Sequence, residues 1–285
     1  MSLTDINDIR NILERHGFRF SKALGQNFLT QAWVPERIAE NAVEQQGTGA
    51  LEIGPGIGCL TEQLSMRAER VVSIEMDRRL QPVLRETLAG RDNVEIIFGD
   101  ALKQELKQIV GEKFSGLTPV VAANLPYNVT SPLITAFIEA GCFETITVMI
   151  QREVARRICA PANTEDYGSF GIFVQWYYEP ELLFDVSPAC FVPQPKVTST
   201  VIRLRKRSEP ICPVMDVDYM MKLVRAAFNQ RRKTLVNSLS TGTGIAKPAI
   251  EQAMNELGLD TRLRGEALDI VEFARLSDKI LTISS

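Results

Sequence analysis

Short apolar runs alternate with helical stripes through the first 205 residues, after which only helical stripes remain. Residues 50–53, 70–74, 94–98 and 119–123 are compact apolar segments rich in Val, Ile and Ala, the pattern of strands buried on both faces. Residues 5–15 place Ile6, Ile9, Ile12 and Leu13 at helical spacing and stop at Gly17, which suits the left-handed position that ends a helix. A second helical stripe covers 33–43, and Leu60, Leu64 and Ala68 continue as a helix behind a glycine-rich turn. Further strands are predicted at 145–150, 181–186 and 198–204, with helices at 131–140, 152–159 and 169–177. Strands alternating with helices predict an α/β fold around a parallel sheet. Past Arg205-Lys206-Arg207 the expected elements are helices at 216–228, 232–239, 248–257 and 267–283. The chain therefore reads as an α/β domain over 1–206 and a small α-helical domain over 207–285.

In open sheets of this kind ligands sit at the C-terminal ends of the strands, and four strand ends here carry chemistry. Ala50-Leu51-Glu52-Ile53 runs into Gly54-Pro55-Gly56-Ile57-Gly58. Glycines at such a turn let backbone N–H groups approach a ligand. The spacing is Gly-x-Gly-x-Gly, not the Gly-x-Gly-x-x-Gly of a pyrophosphate site, and Glu52 beside it suits a cation or an ammonium group. The next strand ends in Glu75, placed to hold ribose hydroxyls. The third is followed by Gly99-Asp100, whose carboxylate can accept from an adenine amino group.

The fourth strand ends in Asn124-Leu125-Pro126-Tyr127, where Pro126 prevents the strand from continuing. An exocyclic amino nitrogen is a poor nucleophile whose two protons need acceptors. The Asn124 amide oxygen and a carbonyl of Leu125 or Pro126 can supply both, and Tyr127 can stack on the base. Because the ring face does the stacking, loss of the Tyr127 hydroxyl is expected to matter little. An acid at one strand end is an ordinary surface feature; four such features at successive strand ends point to a site.

Composition narrows the setting. No uncharged apolar run approaches the roughly 18 residues of a spanning helix, and Met1-Ser2-Leu3-Thr4-Asp5 lacks a secretory pattern, so a cytoplasmic protein with no membrane partner is expected. Five cysteines without a Cys-x-x-Cys spacing read as buried free thiols, and the single His16 lies at a helix end. Neither a metal site nor a Ser-His-Asp mechanism is expected. A net charge of −3 argues against a nucleic-acid partner, but its distribution does not. Residues 206–285 carry 12 basic and 10 acidic side chains, and the stretch from Lys222 to Lys233 holds five basic residues and no acid. Arg231, Arg232 and Lys233 are candidate phosphate contacts. Gln151–Arg157 adds basic residues along a helix, and Phe191-Val192-Pro193-Gln194-Pro195-Lys196-Val197 is a stiff extended loop that can aim Phe191 at the base opposite Tyr127. Phe18 to Leu29 reads as an ordered loop held by Phe18, Phe20 and Phe28.

Taken together, Leu24-Gly25-Gln26-Asn27-Phe28-Leu29, Glu52 to Gly58, Glu75, Gly99-Asp100-Ala101-Leu102, Asn124 to Tyr127, Phe191 to Val197 and Phe228 to Leu235 resemble the motifs of the ribosomal RNA adenine dimethyltransferases, in that family's order. The small-subunit (KsgA/RsmA) branch is the nearest match. The resemblance implies a Rossmann-like class I S-adenosylmethionine-dependent methyltransferase domain and a C-terminal α-helical RNA-binding domain. It implies methylation of N6 of two adjacent adenosines near the 3′ end of small-subunit ribosomal RNA, within an assembled small subunit, by a monomer. It also implies that Asn27, Leu29, Gly54, Glu75, Asp100 and Asn124 contact the methyl donor, and that Tyr127 and Phe191 clamp a flipped base. A large-subunit methyltransferase of the macrolide-resistance type, and a non-catalytic ribosome-assembly factor on the same fold, are the alternatives. The low pI of about 5.5 and the Gln-Arg-Arg-Lys-Thr-Leu segment disfavour the first, and the intact Asn-Leu-Pro-Tyr disfavours the second.

Overall fold

The computed structural model describes residues 2–18 and 26–284; Phe20, Leu24 and Gly25 lie outside the described residues. The chain divides into two compact units, Met1–Ala155 with Pro180–Lys206, and Arg156–Glu179 with Arg207–Ser285.

The first unit is built on a seven-stranded sheet. Its strands are β2 (Thr48–Ile53), β3 (Arg70–Glu75), β4 (Val94–Phe98), β5 (Thr118–Asn124), β6 (Thr145–Gln151), β7 (Tyr178–Val186) and β9 (Ser199–Lys206), in the order β4-β3-β2-β5-β6-β9-β7. The pairs from β4 through β6 are parallel and β9 runs antiparallel to β6. The chain moves outward from β2 through β3 to β4, then returns to place β5 on the other side of β2. That reversal opens a crevice at the C-terminal ends of β2 and β5, the usual ligand position in such sheets. The α/β class and Rossmann-like order match the sequence expectation.

Two strands carried no sequence signal. β1 (Phe28–Leu29) and β8 (Phe191–Val192) form a separate antiparallel ladder with Leu29 opposite Phe191, fastening the N-terminal segment to the loop after β7. The short helices Gln81–Thr87 and Leu106–Lys113 were also not expected, each too short to show a full helical stripe. Helix Ile6–Arg15, capped by the Asp5 carboxylate, buries Ile9, Ile12 and Leu13 against Phe28, Ile57, Leu80 and Leu84. His16 at its end contacts Glu86 at 2.6 Å.

The second unit is helical, with helices Ser169–Tyr177, Val217–Asn229, Leu235–Thr243, Lys247–Glu256 and Ile270–Ser284. Its core joins Tyr167, Ile172 and Trp176 to Leu223, Val224, Phe273 and Leu276. The sequence reading assigned 156–179 to the first domain, since a helical stripe does not say which core receives it; here those residues pack with the later helices. The expected helix at 232–239 begins at Leu235 instead. Thr234 is extended and the Leu235 N–H donates to the Leu263 carbonyl, so Arg231–Lys233 occupy a turn. Among the described residues no helix is long and apolar enough to cross a membrane.

Candidate active site

A cleft of about 280 Å³ lies at the strand ends. Asn27, Leu29, Gly54, Glu75, Asp100, Asn124, Leu125, Pro126 and Tyr127 all line it, so the residues expected from the sequence to meet the donor or the base, Phe191 apart, converge on one place. The turn after β2 needs its glycines. Gly56 has φ of +59°, and a Cβ there would come within 3.0 Å of the Phe28 ring.

Glu75 is positioned before any ligand arrives. One carboxylate oxygen accepts the Asp77 N–H at 2.7 Å and the other the Gly56 N–H at 3.3 Å. Burial pushes its pKa up, against the pull of these backbone donors. Asp77, also buried, accepts from the Gln26 side chain at 2.9 Å and pairs with Arg79, whose guanidinium carbon lies 5.2 Å from the centre of the Phe18 ring. Phe18 and Gln26, which bracket 19–25, thus meet the same ion pair. Sequence reasoning missed Asp77; its place two residues beyond Glu75 was the only available signal.

Glu52, expected from the sequence to suit a cation or an ammonium group, borders the cleft from a buried position. It is 1% exposed and accepts from the Thr61 and Ser73 hydroxyls, each at 2.6 Å. Register explains the second contact, since Glu52 stands opposite Ser73 on β3. Burial pushes its pKa up to about 7 from an ordinary 4.5, and the two hydroxyls only partly offset this. The native protein therefore holds a proton between those values that the unfolded chain releases. Stability is expected to fall as pH rises through this interval, by up to about 3 kcal/mol, and to level off above it. Denaturant titrations at pH 5 and pH 8 check this: Glu52→Gln should lose that part of the difference, and an unchanged difference would refute it.

At the end of β5 the acceptor choice left open by the sequence narrows. The Pro126 carbonyl already accepts from the Val129 N–H and the Thr130 hydroxyl, both at 3.2 Å. The Leu125 carbonyl is the better placed partner for a ligand proton, with the Leu125 N–H tied to Met149 O at 3.1 Å. The Asn124 amide nitrogen donates to the Asn27 carbonyl at 3.4 Å, which turns the amide oxygen into the remaining acceptor. Asp100 lines the cleft while one of its oxygens caps the following turn by accepting the Leu102 N–H at 3.1 Å.

Phe191 is not brought into the lining. It is 1% exposed and packs with Leu29, Val34 and Val201, so it backs the cleft wall through its ladder partner Leu29 instead of presenting a face to a base. In the helical unit Arg231, Arg232 and Lys233 are exposed, and Arg231 donates to the Glu165 carbonyl at 2.7 Å. Cys59 and Cys190 are buried thiols as expected, whereas Cys142, Cys159 and Cys212 are only partly covered.

Known proteins resemble this chain over most of its length. The family model described as "Ribosomal RNA adenine dimethylase" matches residues 17–280. Proteins named "Ribosomal RNA small subunit methyltransferase A" from Geobacillus thermodenitrificans and Geobacillus kaustophilus are 46% and 47% identical, covering 96% and 95% of this chain and 95% and 94% of their own. Among solved structures, a dimethyladenosine transferase from Plasmodium falciparum superposes with a TM-score of 0.70 at 25% identity, covering 85% of this chain and 93% of that one. The 23S rRNA methyltransferase ErmE gives 0.67 at 29%, covering 89% and 99%. With the match spanning the cleft residues and the helical unit alike, the chain belongs to the ribosomal RNA adenine dimethylase family.

Proposed function

We propose that the protein dimethylates N6 of two adjacent adenosines near the 3′ end of small-subunit ribosomal RNA, acting on the assembled small subunit in the cytoplasm. The observation that carries this reading is the oriented Asn124 amide at the sheet's switch point, in a chain nearly half identical to small-subunit enzymes end to end. The cleft fits S-adenosylmethionine: a glycine turn that admits close backbone approach, a pre-set carboxylate for ribose hydroxyls, and Asp100 beyond it for the adenine. Bound there, the donor supplies an electrophilic methyl group on a sulfonium.

The chain's own residues do the rest. Asn27, Leu29 and Gly54 border the donor, and Asn124 borders donor and target. The Asn124 amide oxygen and Leu125 carbonyl accept the two protons of the target amine, favouring the pyramidal, positively charged nitrogen that develops during attack. Pro126 holds this turn, and Tyr127 stacks on the flipped adenine. No general base is needed, because the extra proton can pass to water. A large-subunit target is the competing outcome, given the likeness to ErmE. Labelled donor incubated with unmethylated small or large subunits, followed by mapping of the modified nucleotides, decides between them.

Arg231, Arg232 and Lys233 of the helical unit are the phosphate contacts in this reading. Arg231 also supports the fold through Glu165, so the cleaner test neutralises Arg232 and Lys233. Replacing both by Gln is expected to weaken RNA binding at all sequences and lower the salt slope by about 0.9 per contact on duplex, or about 0.7 on single strands. Donor affinity should not change. A parental salt slope in binding titrations would remove these residues from the interface.

A further inference from the structure

We propose that Ser199 is a positioning residue for base capture, acting through the Tyr127 phenol to fix the ring on which the target adenine stacks. The inference rests on the stacking role given to Tyr127 above. The two hydroxyl oxygens stand 2.7 Å apart. Tyr127 lines the cleft and Ser199 does not, so Ser199 reaches a substrate only by way of the ring.

The backbone around Tyr127 is well held but its ring is not held by backbone alone. Tyr127–Val129 is a single 3-10 turn, closed onto the Pro126 carbonyl. Rotation about the Cα–Cβ bond swings a whole aromatic ring between staggered positions, and a stacking platform that must be ordered on every encounter gives up part of what stacking contributes. A hydrogen bond at the ring's far tip removes that freedom. Its other end is rigid: Ser199 is fully buried, begins β9, and stands opposite Gln151 at the end of β6. The ring is thereby tied from the strand end that bears the Asn-Leu-Pro-Tyr turn to the antiparallel strand two positions across the sheet. Burial also raises the pKa of the phenol, which keeps it a neutral partner for the serine.

This revises the sequence expectation for Tyr127. Keeping the stacking face is not enough, because Tyr127→Phe leaves the ring untethered and the buried Ser199 hydroxyl without its partner.

Single-turnover methylation at saturating small subunits and donor tests the proposal with Tyr127→Ala, Tyr127→Phe, Ser199→Ala and the Tyr127→Phe/Ser199→Ala double variant. Tyr127→Phe and Ser199→Ala are each expected to slow transfer by about 5-fold, the factor one neutral hydrogen bond is worth. The double variant should be no slower than either single one, and donor affinity should stay parental in all three, which a general loss of structure would not give. Parental rates in Ser199→Ala, or slowing that multiplies in the double variant, would overturn the role of Ser199. A parental rate in Tyr127→Ala would instead overturn the stacking reading itself, so the two failures are distinguishable.

Discussion

An Asn124→Ala enzyme is expected to fold, to hold its subunit nearly as the parent does, and to transfer methyl groups about 10²–10³ times more slowly. The magnitude is that of removing one preorganised hydrogen-bond partner of a developing charge. Little packing is lost, since Asn124 is only partly buried at the tip of β5 while Val120–Ala123 carry the strand's core contacts. RNA is held mainly through its backbone, so binding should fall far less than turnover. Asn124→Asp sharpens the test. It keeps an acceptor but replaces the amide nitrogen that donates to the Asn27 carbonyl, so two oxygens would face each other. It should also be slow if orientation matters as much as the presence of an oxygen. Single-turnover assays on purified small subunits measure both variants, and full activity in Asn124→Ala would mean that chemistry occurs elsewhere.

Glu75→Ala is expected to weaken donor binding by about 1.5–3 kcal/mol, roughly 10- to 150-fold, the range for hydrogen bonds to a charged group. Two effects add here. The carboxylate is lost to the ribose, and the N–H groups of Gly56 and Asp77 lose the acceptor that fixes the turn beside the donor. The raised pKa of Glu75 gives the reading a pH signature. Proton uptake by Glu75 sets in at a higher pH than for an exposed carboxylate, so donor affinity should decline earlier on acidification, and Glu75→Gln should lack that decline. Calorimetric titration of the donor across pH measures both. Unchanged affinity in Glu75→Ala would remove the assignment.

What the sequence made legible follows from the period of its elements. Central parallel strands are apolar runs with one side chain after another buried, so β2, β3, β5 and β6 could be read directly, and the half-buried edge strand β4 showed a similar apolar run. Asn124, Glu75, Asp100 and the glycine turn meet in one cleft because strand ends of one parallel sheet must meet. Features set by tertiary pairing carried no such mark. A two-residue ladder has no period, so the pairing of Leu29 with Phe191, and the burial of Phe191 that goes with it, were invisible. The same holds for Gln26 on Asp77 and Ser199 on Tyr127, contacts between residues 51 and 72 positions apart. The two hydroxyls that Glu52 accepts from were likewise out of view, because contacts made by a neighbouring strand and helix cannot be read from its own segment.

The discontinuous make-up of the helical unit has a consequence for synthesis. Tyr167, Ile172 and Trp176 belong to a core whose other half ends with the helix Ile270–Ser284, about a hundred residues later in the chain. At about 5–20 residues per second of translation, this apolar segment leaves the ribosome on the order of 5–20 s before its last partner does. The first unit's sheet can close in that interval, as its final strand β9 ends at Lys206. The segment 156–179 cannot complete its core until the helix Ile270–Ser284 has emerged, so a chain truncated shortly after Lys206 is expected to leave Tyr167, Ile172 and Trp176 uncovered and to aggregate.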